Sequence, residues 1–431
     1  MRVAEAAQRS HVRARRILSF ALALCIWLAA VGACAQTDEP TATAAVADAP
    51  LISLLTIGPG EIFFERFGHN AIVVRGADGR PPAAYNYGIF DFDQQDFLLN
   101  FVRGRMLYRI AVDTLDEDLA MYREEGRAVV EQHLNLAPDQ ARVLAEFLAW
   151  NALPENAQYR YDYFLANCST RVRDALDRAL DGALHAQTEG RSRGYTYRLD
   201  ALRLMAPEPW LMLAIDLGLG PFADQRIDVW QESFVPETLR DTATHVLITS
   251  ADGHSVPLVA DDHVIAQGRI EEPPALPPDL RWPFFGIGIA LGALLFWLGT
   301  RHTAGIRIPL AIFASLFELF CGLGGLVLLF LWFGTEHRAA WRNENLLLLN
   351  PLCLLLIPAW LGMLRAHWRV RAFAARIAWI VVAGAAFGLF SKLLPWFVQV
   401  NFAWIVLFLP IHLALALTLT RDPMPRSRRT Q

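Results

Sequence analysis

Cys168 is the residue whose chemistry can be argued first. It is the only cysteine between residues 35 and 320 of a 431-residue chain. A solitary cysteine supports no disulfide framework there, and no zinc site built on four cysteines or on paired cysteines and histidines. A lone cysteine is most often a small buried hydrophobe. Here it is flanked by polar Asn167, Ser169 and Thr170. A free thiol in an exported domain is also a liability unless it is used. A thiol nucleophile needs a base, and the base needs an orienting group. His69, in Phe67-Gly68-His69-Asn70, is the candidate base. The plainer reading of a lone strand histidine is a hydrogen-bonded structural residue. If the chain turns near Ala77 and Asp78, Asn86 lies opposite His69 and can orient its imidazole. A one-residue change of register sets Tyr85 or Tyr87 there instead.

The elements that must position these groups are legible. Leu51–Ile57, Asn70–Val74 and Ala83–Gly88 read as strands, the last two forming a hairpin around Gly76-Ala77-Asp78-Gly79. Pro138–Trp150 reads as a helix with Val143, Leu144, Phe147 and Leu148 on one stripe. The next helix starts at Asn167-Cys168, followed by Val172, Ala175, Leu176, Ala179 and Leu180 at helical spacing. Asn167 is the expected N-cap. Cys168 then sits in the first turn, where free N–H groups and the helix dipole are expected to lower a thiol pKa toward neutrality. Thr244–Ser250 and His254–Ala260 read as a structural hairpin around Ala251-Asp252-Gly253.

Composition adds a membrane. Hydrophobic residues make up 54% and charged residues 19%, against about 25% charged in soluble proteins. A net charge of −4 gives no reason to expect nucleic acid as a partner. Lys392 is the only lysine, which removes P-loop, Schiff-base and Ser–Lys chemistry from everything before it. Arg13, Arg15 and Arg16 precede the apolar run Ile17–Val31, an export signal or anchor. Ala33-Cys34-Ala35 fits signal cleavage, and Val31-Gly32-Ala33-Cys34 fits a degenerate lipobox; cleavage or an uncleaved anchor is favoured over lipidation of Cys34. Five apolar segments follow a Pro-rich stretch, at about 283–300, 308–333, 346–364, 376–391 and 401–420. The fourth is the weakest, because Lys392 and Pro395 crowd its end. With the region before 280 outside, the inside loops hold ten basic residues and the outside loops three, Arg338, Arg342 and Lys392. That asymmetry predicts an extracytoplasmic N-terminal domain and a cytoplasmic C-terminus. The expected organisation is an export segment (1–35), a linker (36–49), a catalytic domain (50–270), a Pro-rich linker (271–282), a five-helix membrane domain (283–420) and a tail (421–431).

Four stretches carry a family resemblance: Phe67-Gly68-His69-Asn70-Ala71, Tyr85-Asn86-Tyr87-Gly88, Tyr159-Arg160-Tyr161-Asp162-Tyr163-Phe164 and Asn167-Cys168-Ser169-Thr170-Arg171. They resemble the periplasmic domain of the Lnb family, bacterial lipoprotein N-acyltransferases. Thr335-Glu336-His337, Asn343-Glu344-Asn345-Leu346-Leu347 and Asn350-Pro351-Leu352 resemble the family's membrane portion. The resemblance covers about residues 50 to 420. It implies an α+β fold, a permuted papain-like (NlpC-type) periplasmic domain with the histidine strand before the cysteine helix, followed by an all-α membrane domain in the bacterial inner membrane.

The implied chemistry is acyl transfer. Cys168 attacks an ester of a glycerophospholipid, His69 serves as base and acid, and Asn86 orients it. The oxyanion rests on the Cys168 N–H and a second donor, with Tyr161 and Tyr163 as candidates. The thioester then acylates the α-amine of a diacylated lipoprotein. Asn167 and the outside-loop residues His337, Arg338, Arg342 and Asn345 are candidates for substrate contact, the arginines because guanidinium suits phosphate. The plainer reading of that polar loop is a solvated surface. No cofactor and no metal enter this chemistry. Two other readings stay open: a Cys–His peptidase or amidase of the envelope, and a non-catalytic lipid- or lipoprotein-binding protein.

Overall fold

Strands Leu51–Ile57 (β1), His69–Arg75 (β2), Ala83–Phe90 (β3), Leu107–Thr114 (β4), Val129–Leu134 (β5) and Gln158–Arg160 (β6) build most of one antiparallel sheet. Leu247–Thr249 (β7) and Ser255–Pro257 (β8) form a separate hairpin, and Val259–Ala266 (β9) closes the sheet in the order β6-β4-β3-β2-β1-β5-β9. The computed structural model describes residues 49–90, 96–250, 252–301, 303–365 and 370–421. The expected export segment, Cys34 and nearly all of the linker lie outside these, as do Ala251, Arg369 and the tail beyond Arg421.

Helices cover both faces of the sheet, which is why β1 is buried on both sides. On one face Ile52, Leu54, Ile72, Tyr87 and Ile110 pack against Leu144 and Leu148 of helix Pro138–Asn151 and Val172 and Leu176 of helix Cys168–Ala179. On the other, Leu55, Ile57, Ala71 and Val73 meet Leu115, Leu119 and Tyr122 of helix Leu115–Glu125. Each fully buried leucine contributes about 1.5–3 kcal/mol by leaving water. Val143, expected in the buried stripe, is instead exposed. The buried positions are 141, 144 and 148, and Val143 lies about 100° round the helix from Leu144. The expected late strand His254–Ala260 is split at buried Leu258, whose amide bonds Val246 O at 2.8 Å. Beyond the split, β9 adds to the sheet beside β5.

The membrane part has four continuous apolar helices, Arg281–Gly299, Ala304–Gly334, Ala372–Ser391 and Phe402–Thr420. The third expected span is broken into turns Glu344–Leu347 and Pro351–Leu356 and a short helix Ile357–Gly362, with a 43° bend, so the spans number four or five. Pro351 and Pro358 explain the break, since each removes an N–H and restricts the residue before it. The segment expected to be weakest is an unbroken helix of 20 residues. Lys392 closes it without penalty because its ammonium bonds Glu344 and Gln399 O.

Helix Ala304–Gly334 has 31 residues, about 46 Å at 1.5 Å per residue, so it outruns a hydrocarbon core of about 30 Å. Its end carries the loop from Thr335 to Asn345 into the sheet domain. Glu336 pairs with Arg105 at 2.7 Å and with Arg160. The Gly220 amide bonds Ala339 O at 2.7 Å. Asn343 Nδ2 donates to Leu217 O at 2.8 Å and Gly218 O at 2.9 Å, at the end of helix Pro209–Gly218. Trp404 Nε1 donates to Asp216 at 2.7 Å, and buried Arg198 joins Asp216 to Asp224. The described residues from Pro50 to Arg421 thus form one compact unit. The polar loops at 335–345 and 392–401 share the sheet domain's side, as the arginine asymmetry predicts.

Arg198→Ala should be the most damaging change at this junction. It leaves two buried carboxylates uncompensated, a cost of about 3–5 kcal/mol. Thermal unfolding of the detergent-solubilised protein measures it. A melting temperature within a degree or so of wild type would show that the ion pairs do not hold the two parts together.

Candidate functional site

Asn167 caps the helix that starts at Cys168. Its Oδ1 accepts from Thr170 N at 2.9 Å, and the Thr170 hydroxyl accepts from Asn167 N at 2.8 Å. Both Asn167 amide hydrogens are used, on Phe234 O at 2.8 Å and Tyr163 O at 3.1 Å. Asn167 is therefore buried and committed to shaping the helix start, with no donor left for substrate. The helix packs on β2 and β3, and Gly88 makes the close approach possible. Gly88 has φ +88, in the left-handed region, and a Cβ there would lie 3.3 Å from the Cys168 Cβ.

The Cys168 sulfur receives the backbone N–H groups of Asn70, Ser169 and Cys168 itself. The Asn70 amide joins the cysteine helix to the histidine strand, one residue from His69. Backbone N–H groups from two different elements, those of Asn70 and Cys168, thus border the thiol, on the side where an oxyanion would need donors. Sequence reasoning missed the Asn70 amide, because a backbone N–H carries no residue signature. Of the expected alternatives, Tyr161 lies within electrostatic reach of Cys168, with burial raising its hydroxyl above the usual range. The Tyr163 hydroxyl meets Met106 Sδ at 3.9 Å, and Tyr161 stacks on Tyr108 with centroids 4.0 Å apart.

His69 Nε2 lies 3.0 Å from Asn86 Oδ1. The expected pairing of 69 with 86 is off by two residues: Ala71, not His69, stands opposite Asn86. A two-residue shift keeps both side chains on the same face, so Asn86 reaches His69 diagonally. Asn86 Nδ2 donates to Asp118 at 2.7 Å, which fixes its Oδ1 as an acceptor. Nε2 of His69 must then carry the proton, leaving the Nδ1 lone pair free. Asp118 was not anticipated, though a signal existed. It lies with Leu115, Leu119 and Tyr122 on the buried stripe of its helix, where a carboxylate needs a reason.

Electrostatics correct one expectation. Burial pushes the Cys168 thiol above its ordinary range, against the pull of the backbone N–H groups and of Arg127. Burial also pushes His69 down to about 4, against the Asn86 hydrogen bond, with Arg127 lowering it further. The resting pair is a neutral thiol and a neutral imidazole, not a thiolate at a helix dipole. His69 is then poised as a base. Burial raises the Asp118 carboxyl too, opposed by its bond from Asn86.

The loop candidates separate. His337 bonds Phe101 O at 3.1 Å and lies over Tyr163 with centroids 6.0 Å apart. Phe90, Tyr108, Tyr161, Tyr163 and His337 thereby form a continuous run of rings from sheet to membrane loop. Arg338 and Arg342 are exposed and make no ion pair with a described residue. Asn345 is fully buried, donating to Leu217 O at 3.0 Å and accepting from Asn401 at 2.9 Å. It locks the loop rather than facing a ligand.

The raised thiol predicts the pH dependence of alkylation. Iodoacetamide reacts with the thiolate, so Cys168 in wild type should react slowly at neutral pH and faster through about pH 9 and above. A rate that is already maximal near neutral pH would require a thiolate–imidazolium pair instead. Gly88→Ala forces a left-handed alanine, about 1–2 kcal/mol, and displaces Cys168. Its alkylation profile should differ from wild type.

Two family models match the chain. That of the Lnb N-terminal periplasmic domain covers residues 36–207, and that of the Lnb transmembrane domain covers residues 283–423. Neither a curated protein nor a solved structure matches it. The matches take in His69 and Cys168 and nearly all of the four long apolar helices, in the order that the sequence motifs suggested. A periplasmic α+β domain followed by a helical membrane domain, matched separately and together over most of its length, makes this chain a member of the Lnb family.

Proposed function

We propose that this protein is a lipoprotein N-acyltransferase that carries an acyl chain from a glycerophospholipid, as a Cys168 thioester, to the α-amine of a diacylglyceryl-cysteine lipoprotein. The observation that carries the reading is the hydrogen-bonded series His69–Asn86–Asp118, reached from the strands on which the capped Cys168 helix packs, in a domain joined to the membrane part by the loop at 335–345.

His69 Nδ1 takes the thiol proton as Cys168 attacks the ester carbonyl. The oxyanion forms under the Cys168 and Asn70 N–H groups. The imidazolium returns the proton to the departing glycerol alkoxide, releasing a lysophospholipid. The lipoprotein amine then attacks the thioester, its proton passes to His69, and the thiol is regenerated. Asn86, held by Asp118, keeps the imidazole in the tautomer that both half-reactions need. The ring series ending at Tyr163 and His337 offers an apolar wall toward the bilayer. Arg338 and Arg342 are free cations suited to the donor phosphate. Membrane attachment favours lipid substrates over soluble peptides.

Incubation of the purified full chain with phospholipid alone should add one acyl mass to Cys168, removable by hydroxylamine. Cys168→Ala should abolish transfer and still fold, since alanine suits a first helical turn. His69→Ala should lose about 10²–10⁴-fold, with Asn86→Ala and Asp118→Asn losing less. Acylation of Cys168 by phospholipid, the half-reaction that needs no amine, should hold as pH falls toward about 4, because His69 stays neutral down to there. N-acylated lipoprotein formed by Cys168→Ala at the wild-type rate would end this mechanism.

The arginines give an independent check. Arg342→Ala should raise KM for phospholipid more than it lowers kcat. Unchanged kinetics in both Arg338→Ala and Arg342→Ala would remove phosphate binding from the scheme.

A further inference from the structure

Four ionisable side chains meet in the interior of the membrane domain. Glu318 and Cys321 lie one turn apart near the middle of helix Ala304–Gly334, Cys353 lies in the broken segment, and His412 lies in the last helix. All four are buried, none more than 2% exposed. Nothing in the acyl-transfer scheme uses them. Ionisable groups at such depth are costly, and they are kept where they face one another and serve a purpose.

The donor atoms of Glu318, Cys353 and His412 all lie within 4.8 Å of one another. Cys321 stands in hydrogen-bond contact with Cys353 and His412. His412 Nε2 donates to Leu348 O at 3.0 Å, which leaves its Nδ1 lone pair as the free ring atom. A backbone carbonyl on the far nitrogen is how metal-binding histidines are held. Glu318 Oε2 is buried with no hydrogen-bond partner among the described residues, an unmet acceptor inside the cluster. Carboxylate, thiolate and imidazole are the three ligand types that zinc accepts together.

We propose that Glu318, Cys353 and His412 bind a borderline-soft divalent metal ion such as Zn²⁺ within the membrane domain, with Cys321 beside the fourth position. Charge supports three anionic-or-neutral ligands of this kind. A divalent ion with one carboxylate, one thiolate and a neutral imidazole sums to zero, the least costly total in a low dielectric. Cys353 gives up its thiol proton to solvent on binding, and Cys321 stays a neutral thiol outside the ligand set, beside the open fourth position. Bond lengths of about 2.0–2.3 Å set tetrahedral edges near ~3.5 Å, so closing the shell asks for shifts on the order of one ångström. The ion would join three elements, one of them the broken segment whose prolines deny it regular helical hydrogen bonds. The sequence reading expected no metal, because these four residues are spread over nearly a hundred positions.

Metal analysis of the full chain, purified in detergent and dialysed against metal-free buffer, tests the proposal. Wild type should retain about one zinc per chain, and Co²⁺ added to stripped protein should give a thiolate-to-cobalt charge-transfer band. Glu318→Gln, Cys353→Ser and His412→Ala should each lower zinc content and weaken the band. Cys168→Ala and His263→Ala should retain both, which separates this site from the periplasmic thiol and from the exposed His133–Asp261–His263 group. If Cys353→Ser fails to fold, Glu318→Gln supplies the same readout with minimal change in shape. Wild type with background zinc and no cobalt band overturns the proposal. So does metal content indifferent to all three ligand substitutions, or a Cys321–Cys353 disulfide in the protein as isolated.

Discussion

The junction between sheet domain and membrane domain is the constraint on which the rest depends. Arg198 is buried between Asp216 and Asp224, and Asp216 in turn accepts from Trp404 of the last membrane helix. Asn343, Asn345 and Gln399 satisfy the free carbonyls at the end of helix Pro209–Gly218. Helix ends leave such carbonyls unpaired, and here the membrane loops supply the partners. A thiol that acts on lipid, as proposed for Cys168, must be held at a set height above the bilayer. Polar contacts buried at the junction do that with little freedom, because each unmet group would cost about 1–3 kcal/mol.

The site shows how burial and hydrogen bonding divide the work. The helix start and the neighbouring strand aim three N–H groups at Cys168, yet the surrounding sheet and rings keep the thiol protonated at rest. His69 is neutral for the same reason. In the proposed reaction, charge separation is therefore deferred to the moment of attack, when imidazolium and oxyanion would appear together. The Asn86 hydrogen bond raises the basicity of His69 without outweighing burial, and Asp118 holds Asn86 in place. Their contribution is to fix which nitrogen carries the hydrogen.

The membrane domain departs from a simple bundle at its third segment. Proline breaks there are tolerated because neighbouring groups take over the freed backbone atoms. Asn350 caps the Leu352 amide at 3.0 Å, and His412 binds Leu348 O. The break also brings Cys353 against Glu318 and His412.

Sequence alone determined much of this protein. Periodicity marked the strands, the cysteine helix and its asparagine cap, since these are local preferences. Hydropathy and arginine placement marked the membrane segments and their orientation, since those depend on solvent and charge. The motifs around His69 and Cys168 marked the family. Tertiary structure decided the rest. It shifted the hairpin register by two residues, turned Asn167 and Asn345 from ligand candidates into fixed caps and locks, and brought Asp118 to Asn86. It also set the protonation of Cys168 and His69, because desolvation depends on what packs around a group and not on its neighbours in the chain. The Glu318–Cys353–His412 cluster belongs to the same class: three helical segments had to pack before its ligands shared a site.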